Sequence, residues 1–396
     1  MRKSFKYKLY RSGRNRHLHR QIDLAAEIYN HSISLHKRYY RMTGKHLNVY
    51  VLKKHITKIK RLDKYRHWNH LGSQAVQDVV IRIEKAYQLF FKSLKEENKR
   101  WKTPRVSPPG FKKRRKYRSF TLTQAGYEVL AGSRIRIGDK FYRYHKSRDL
   151  KGVIKTLTVK RDALGDIYLV FSCDGVLPDV RERAMTGKSA GADFGLRTYL
   201  TLSDGEQKQS PQAFKRGLRS IKRASRALSR KKKGSHNRSR ARKDFARAHK
   251  KAADQRLDFS MKLAREMAIT YDHLFFEDLN IEAMKRLWGR KVSDMGFAAY
   301  LKMQGHMCSR FGSVMETVDP FYPSSKTCHI CGHVNETLKL HDRNWTCPSC
   351  NALHDRDKNA SIVIHMVGAS DHWERSSKTS VKDGSNSAYI PESHML

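Results

Sequence analysis

Three carboxylates sit where acids are costly unless they have something to bind. Asp193 lies among small residues, Ala190-Gly191-Ala192-Asp193-Phe194-Gly195-Leu196, on what reads as a buried strand running into a turn. Glu277 closes the short apolar run Tyr271-Asp272-His273-Leu274-Phe275-Phe276-Glu277. That places it at the C-terminal end of a strand, where ligand sites of α/β sheets lie. Asp357, in Asp355-Arg356-Asp357-Lys358-Asn359-Ala360-Ser361, precedes Ile362, Val363, Ile364 and Val367 at helical spacing. It falls in the first turn of a helix, where the dipole favours negative charge. Alone, Asp357 reads as an ordinary cap; beside two upstream acids it reads as part of a cluster. A buried Asp is expensive unless paired or metal-bound, and clustered carboxylates persist mainly when hard cations neutralise them. Two Mg²⁺ about 4 Å apart on Asp193, Glu277 and Asp357 would activate a water and stabilise the leaving oxygen in phosphodiester hydrolysis.

A second chemistry is carried by cysteine. Cys328/Cys331 and Cys347/Cys350 are two Cys-x-x-Cys pairs separated by fifteen residues. Two facing knuckles of this kind make a tetrahedral sulfur cage for one structural zinc, with no open coordination position. The alternative is a pair of disulfides. Cys173 and Cys308 stand apart, and this usage fits a reducing cytoplasm better than secretion.

The bulk composition names the partner class. The 396 residues hold 82 Lys+Arg against 37 Asp+Glu, a formal charge of +45. A charge of that size calls for a polyanion, and nucleic acid is the expected one. The N-terminus has no apolar signal region, and no stretch approaches the ~18 apolar residues of a spanning helix. No membrane and no small-molecule substrate are expected.

The elements that must position these groups follow from periodicity. Residues 2–10 alternate as a strand. Helices are expected over Asn15–Arg41, with Leu18, Ile22, Ala25, Tyr29, Ile33 and Tyr40 on one face, over Val49–Leu62, and after Gly72. After the Pro-rich break at 103–110, the run Lys112-Lys113-Arg114-Arg115-Lys116-Tyr117 suits phosphate contact with ring stacking, or else a solvated loop. Strands at 117–124, 134–137, 154–160 and 167–173 join residues 2–10 in a small, mostly antiparallel barrel. From Lys215 to Lys251 there are 17 Lys/Arg and one acid, Asp244. Arg230, Lys231, Lys232 and Lys233 form the turn between two basic helices that would repel themselves without a bound polyanion. Residues 281–293 read as a basic linker with Trp288, followed by a helix, 295–311, and a strand, Ser313–Val318. The order of the acids, on an early hairpin, a later strand end and a late helix, fits an RNase H-like sheet. The stretch from about 371, rich in Ser, Lys, His and Asn, reads as disordered.

The motifs Gly191-Ala192-Asp193-Phe194-Gly195, Phe276-Glu277-Asp278-Leu279, Pro323-Ser324-Ser325-Lys326-Thr327-Cys328, the four spaced cysteines and His354-Asp355-Arg356-Asp357-Lys358-Asn359-Ala360 together resemble TnpB. These are transposon-encoded RNA-guided nucleases, related to type V CRISPR effectors. The resemblance implies a mixed fold. A wedge-like β-barrel (1–14 and 102–183) holds an inserted helical recognition domain (15–101). A RuvC-like, RNase H-like domain (187–320 and 353–370) holds an inserted zinc ribbon that binds target nucleic acid (321–352), and a disordered tail (371–396) follows. It also implies that Asp193, Glu277 and Asp357 are the catalytic RuvC acids, with Asp357 rather than Asp355 in that role. The implied partners are an ωRNA-like guide and double-stranded target DNA, bound by a monomeric protein in a ribonucleoprotein, cytoplasmic and nucleoid-associated. Base pairing would read the target while the protein reads a short adjacent motif. Ser73, Gln74 and Gln77 match the family's motif-reading helix start, and Gln can bond adenine bidentately; otherwise they are cap and surface residues. An RNA-guided regulator without cleavage and an RNase H-like DNA transposase are the competing functions.

Overall fold

The computed structural model describes residues 2–97, 106–177, 180–181, 183–319, 322–339 and 341–383. The chain forms two compact units, Met1–Pro178 and Asp179–Leu396.

In the first unit, β1 (Lys3–Lys8) is followed by α1 (Asn15–Thr43), α2 (Val49–Ile59) and α3 (Ser73–Glu97). Gly44 ends α1 in the left-handed region at φ 68°, which a residue without a Cβ adopts freely. Asn48 caps α2, its side chain accepting from Tyr50 N at 2.7 Å. The stripe expected on α1 is buried from Leu18 to Ile33, while Tyr40 is exposed. A 3₁₀ segment, Asp63–His70, buries Trp68 between α2 and α3; the sequence reading had no element there.

Among the described residues seven strands complete this unit: β1, then β2 (Ser119–Leu122), β3 (Tyr127–Leu130), β4 (Arg134–Ile137), β5 (Lys140–Arg143), β6 (Val153–Arg161) and β7 (Ile167–Asp174). They pair as an antiparallel sheet ordered β1-β7-β6-β2 and a meander β3-β4-β5, linked by a bridge between Leu9 and Tyr144. Strict alternation puts Phe5, Tyr7, Leu157, Val159, Leu169 and Phe171 into one core with Leu18, Ile22, Ala25 and Val80 from the helices. β3 and β5 are strands the sequence reading lacked.

The second unit centres on a five-stranded sheet of β8 (Ser189–Asp193), β9 (Leu200–Leu202), β10 (Gln207–Lys208), β11 (His273–Glu277) and β12 (Val314–Val318), ordered β10-β9-β8-β11-β12. β11 runs parallel to β8 and β12, whereas β9 pairs antiparallel with β8 and β10. Between β10 and β11 come α4 (Ala213–Ser229) and α5 (His236–Thr270), the latter capped by Ser235. Between β11 and β12 come α6 (Ile281–Met295) and α7 (Phe297–Phe311). The linker reading of 281–293 is therefore corrected: it is a helix capped by Asn280 and kinked where Trp288 leaves helical geometry (φ −126°, ψ 27°). Phe194, Tyr199, Phe276, Phe297 and Tyr300 pack ring to ring beneath the sheet.

The last elements are a hairpin of β13 (Asn344–Thr346) and β14 (Leu353–Asp355), then α8 (Arg356–Asp383). The expected disordered tail from 371 is corrected over 371–383, which continues α8; residues 384–396 of that reading lie outside the described residues, as do 103–105 of the Pro-rich break. α8 lies against β8 at Gly191, so close that a Cβ there would stand 2.2 Å from Ser361 O. No helix among the described residues is long and apolar enough to cross a membrane.

Candidate metal and carboxylate centres

Asp193 is the last residue of β8 and Glu277 the last of β11. Ala192 pairs with Phe276 in the parallel ladder, so both acids leave adjacent strands at the same edge of the sheet. Asp357 lies in the first turn of α8. Burial, then the charges of Glu277 and Asp357, hold the Asp193 carboxyl well above the usual carboxylate range. Burial also raises Glu277, opposed by a hydrogen bond that Ser324 Oγ donates to Glu277 Oε1. The sheet thus brings all three sequence-selected acids into one electrostatic cluster.

Asp355 does something else. Its Oδ1 accepts from Lys358 N at 2.8 Å, which caps α8, and it is exposed. Two contacts escaped the sequence reading. Ser324, in the quoted Pro-Ser-Ser-Lys motif, orients Glu277. Arg343 Nη1 donates to Asp357 Oδ1 and Oδ2 at 3.0 and 3.2 Å. Pairing of Asn344 with Asp355, and of Arg356 N with Arg343 O, brings that arginine beside the first turn of α8.

The four cysteines converge. Their sulfurs all lie within 4.8 Å of one another, the only such His/Cys/Asp/Glu group of three or more among the described residues. Cys328 and Cys350 are 3.7 Å apart, and Cys331 and Cys347 3.6 Å. A disulfide needs about 2.05 Å. Four sulfurs at ~2.3 Å from one tetrahedral ion stand about 3.8 Å apart. The cage therefore fits zinc, and the disulfide alternative fails. Backbone donation from His333 pulls Cys331 down to about 7, favouring the thiolate a metal needs. Burial lowers the pKa of the His354 ring, and its Nε2 lies 3.1 Å from Cys328 Sγ.

Asn359 joins the two centres. It is buried; its Nδ2 donates to Thr327 O at 2.7 Å, and its Oδ1 accepts from His329 N at 3.1 Å and faces His329 Nδ1 at 2.9 Å. The first cysteine knuckle is so fastened to the helix that carries Asp357. Nothing in the sequence alone pairs residues thirty positions apart in this way.

The basic candidates are surface groups. Arg230, Lys231, Lys232 and Lys233 are exposed on the turn after α4 and make no ion pair among the described residues. Lys113 and Arg115 are likewise exposed and unpaired among the described residues. Lys112 lies over the Tyr29 ring at 4.6 Å, and Arg114 pairs with Glu27 at 3.6 Å. Ser73 and Gln77 are exposed at the start of α3; Gln74 is turned inward and accepts from Thr123 Oγ1.

Comparison with known proteins agrees with this arrangement. Residues 172–287 match a family model described as "Probable transposase", and residues 297–364 match the "Cas12f1-like, TNB domain". A "Putative RNA-guided DNA endonuclease" of Streptomyces pristinaespiralis is 27% identical over 93% of this chain and 90% of its own length. The "TnpB-like protein L79" of Acanthamoeba polyphaga mimivirus is 25% identical over 58% of this chain and 46% of its own. Among solved structures, a Cas12f1-sgRNA-target DNA complex superposes with TM-score 0.51 at 16% identity, covering 89% of this chain and 83% of that one. The acids, the cysteine cage and the motifs around both fall within these matches, and the chain is similar to TnpB-like proteins and RNA-guided DNA endonucleases.

Proposed function

We propose that this protein is an RNA-guided DNA endonuclease that cuts double-stranded DNA complementary to its guide, next to a short motif. The reading rests on one observation: Asp193, Glu277 and Asp357 form one cluster, and burial, then the charges of the other two acids, leaves Asp193 demanding a proton or a cation. In it, the second unit is an RNase H-like (RuvC-like) nuclease domain, 187–320 and 353–370, with a zinc ribbon, 321–352. The two sheets of the first unit form a wedge-like barrel, 1–14 and 102–183, around a helical recognition domain, 15–101. The three acids would hold two Mg²⁺, which supply a polarised water and neutralise the phosphate under attack. Ser324 fixes the rotamer of Glu277 through its hydrogen bond. Arg343 offsets the charge of Asp357. Asn359 carries the rigidity of the cysteine cage into α8. The zinc is structural, because all four positions are sulfur.

A formal charge of +45 is the footprint of the guide. The exposed cations at 112–115 and 230–233 are its phosphate contacts, and Ser73, Gln74 and Gln77 border the place where the motif is read. The active particle is one chain with an ωRNA-like guide, cytoplasmic and associated with the nucleoid. Relatives support this reading: the Streptomyces protein carries a name of this kind over nine-tenths of its length. To test it, the protein is purified with its co-purifying RNA and assayed on target DNA with Mg²⁺, before and after RNase treatment. Cleavage lost on RNase treatment and on EDTA addition is the expected result; cleavage that survives RNase refutes it.

A further inference from the structure

A cleft of about 470 Å³ lies between the loop after β8, which begins at Asp193, the start of α4 and the second half of α6. Its floor is apolar, made by Phe214, Leu218 and Met295. Its rim carries Arg197, Lys215, Arg290 and Lys291, all exposed and none in an ion pair among the described residues. The acid there, Asp294, is already engaged. Its carboxylate accepts from Phe214 N at 2.9 Å and Lys215 N at 3.2 Å, closing the N-terminus of α4, and Arg256 lies 3.8 Å away. Four cations around an apolar floor therefore face solvent without a counter-charge in the second unit's described residues.

Two walls of the cleft are tied through the chain to Asp193 and Glu277. Arg197 follows Asp193 by four residues, so the chain can separate them by at most about 14 Å. α6 begins four residues after Glu277, and its kink at Trp288 precedes the turn that bears Arg290 and Lys291. A volume of this size suits one planar ring system rather than a duplex. Apolar contact with a base and cations on its flanking phosphates is how single strands are held without sequence preference.

We propose that this cleft holds one nucleotide of the single DNA strand that feeds the Asp193–Glu277–Asp357 cluster. The assignment rests on the nuclease reading above and names how that site receives its strand. The base lies against Phe214 and Leu218, and the phosphates on either side meet Arg290 and Lys291 from α6 and Arg197 and Lys215 from the opposite wall.

The test uses the full chain with its co-purified RNA, carrying Asp193→Ala so that nothing is cut. Single-stranded DNA with 4-thiothymidine placed at successive positions is bound and irradiated, and the cross-linked peptide is sequenced. Cross-links from one position to residues 212–218 are expected. A second measurement compares R290A/K291A with the charge-keeping pair R290K/K291R. Loss of two phosphate contacts on a single strand should lower the salt dependence, log K against log salt, by about 1.4 units, and the charge-keeping pair should restore it. Affinity for the guide RNA should be unchanged in both. Cross-links confined to other segments, an unchanged slope, or an equal loss of RNA affinity would each overturn the proposal, the last by giving the cleft to RNA. The cross-link is read in protein that cannot cut. A wild-type complex that shows no RNA-guided cleavage would therefore remove the nuclease reading and leave the cleft to be judged on its own.

Discussion

Gly191→Ala should slow catalysis and spare guide binding while leaving every acid in place. A Cβ at 191 would lie 2.2 Å from Ser361 O and 2.3 Å from His365 N, both backbone atoms of α8. Ordinary contact begins near 3.4 Å, so β8 and α8 must part by about 1.2 Å at this point. Neither partner is a flexible side-chain tip that could swing aside. Asp193 stands two residues along β8 from the wedge, and Asp357 four residues before Ser361 on α8. The substitution therefore drives apart the two elements whose carboxylates the nuclease reading requires to act together. Misplacement by about 1 Å costs on the order of 10²-fold in rate. Single-turnover cleavage with saturating guide and Mg²⁺ should fall by about that factor, with guide affinity within twofold of wild type. Gly13→Ala, where nothing lies within 4 Å, is the control and should cut normally. A Gly191→Ala protein that cuts at the wild-type rate would refute the claim that β8–α8 contact sets the acid geometry.

Cys347→Ser should lower zinc from one per chain and speed hydrogen exchange across the ribbon, including Thr327 and His329; full zinc in a variant lacking both Cys347 and Cys350 would contradict the cage. Asp357→Ala should abolish cleavage while leaving RNA binding intact, whereas Asp355→Ala should cost only a cap, about 1 kcal/mol of α8 stability read by thermal melting; the reverse pattern would exchange their roles. Neutralising Arg230, Lys231, Lys232 and Lys233 together should weaken RNA binding and flatten its salt dependence by about one unit per lost contact; an unchanged slope would make them solvated decoration. Burial, then the charges of Glu277 and Asp357, holds the folded Asp193 pKa above the ordinary 3.8, so the metal-free fold binds the extra proton and loses stability as pH rises above 3.8. Mg²⁺ replaces that proton, so its stabilising shift in melting temperature should grow from pH 5 to pH 8; a shift independent of pH would contradict the cluster.

Much of this was legible because the candidate site residues sit on short, strongly patterned elements. Apolar runs ending in an acid marked β8 and β11, and helical spacing after Asp357 marked α8. The doubled Cys-x-x-Cys marked the cage. What was not legible depends on tertiary context. α6 hid because Trp288 and Gly289 break its period, so Met284, Val292 and Met295 fall on two half-helices. β3 and β5 are four residues each, too short for alternation to stand out. The continuation of α8 past 371 carries no apolar stripe to announce it. Arg343 and Ser324 meet the acids only through ribbon geometry, and no local pattern encodes contacts made across 14 and 47 residues.

Reprogramming the guide tests the central claim most directly. The protein is co-expressed with two RNAs that share a scaffold and differ only in the guide segment, and each complex is given Mg²⁺ and a plasmid carrying both targets beside the same short motif. The account expects each complex to cut only at the site its guide matches, and the Asp193→Ala complexes to bind without cutting. Cutting at one fixed site whatever the guide, or site-specific cutting by RNA-free protein, would contradict it.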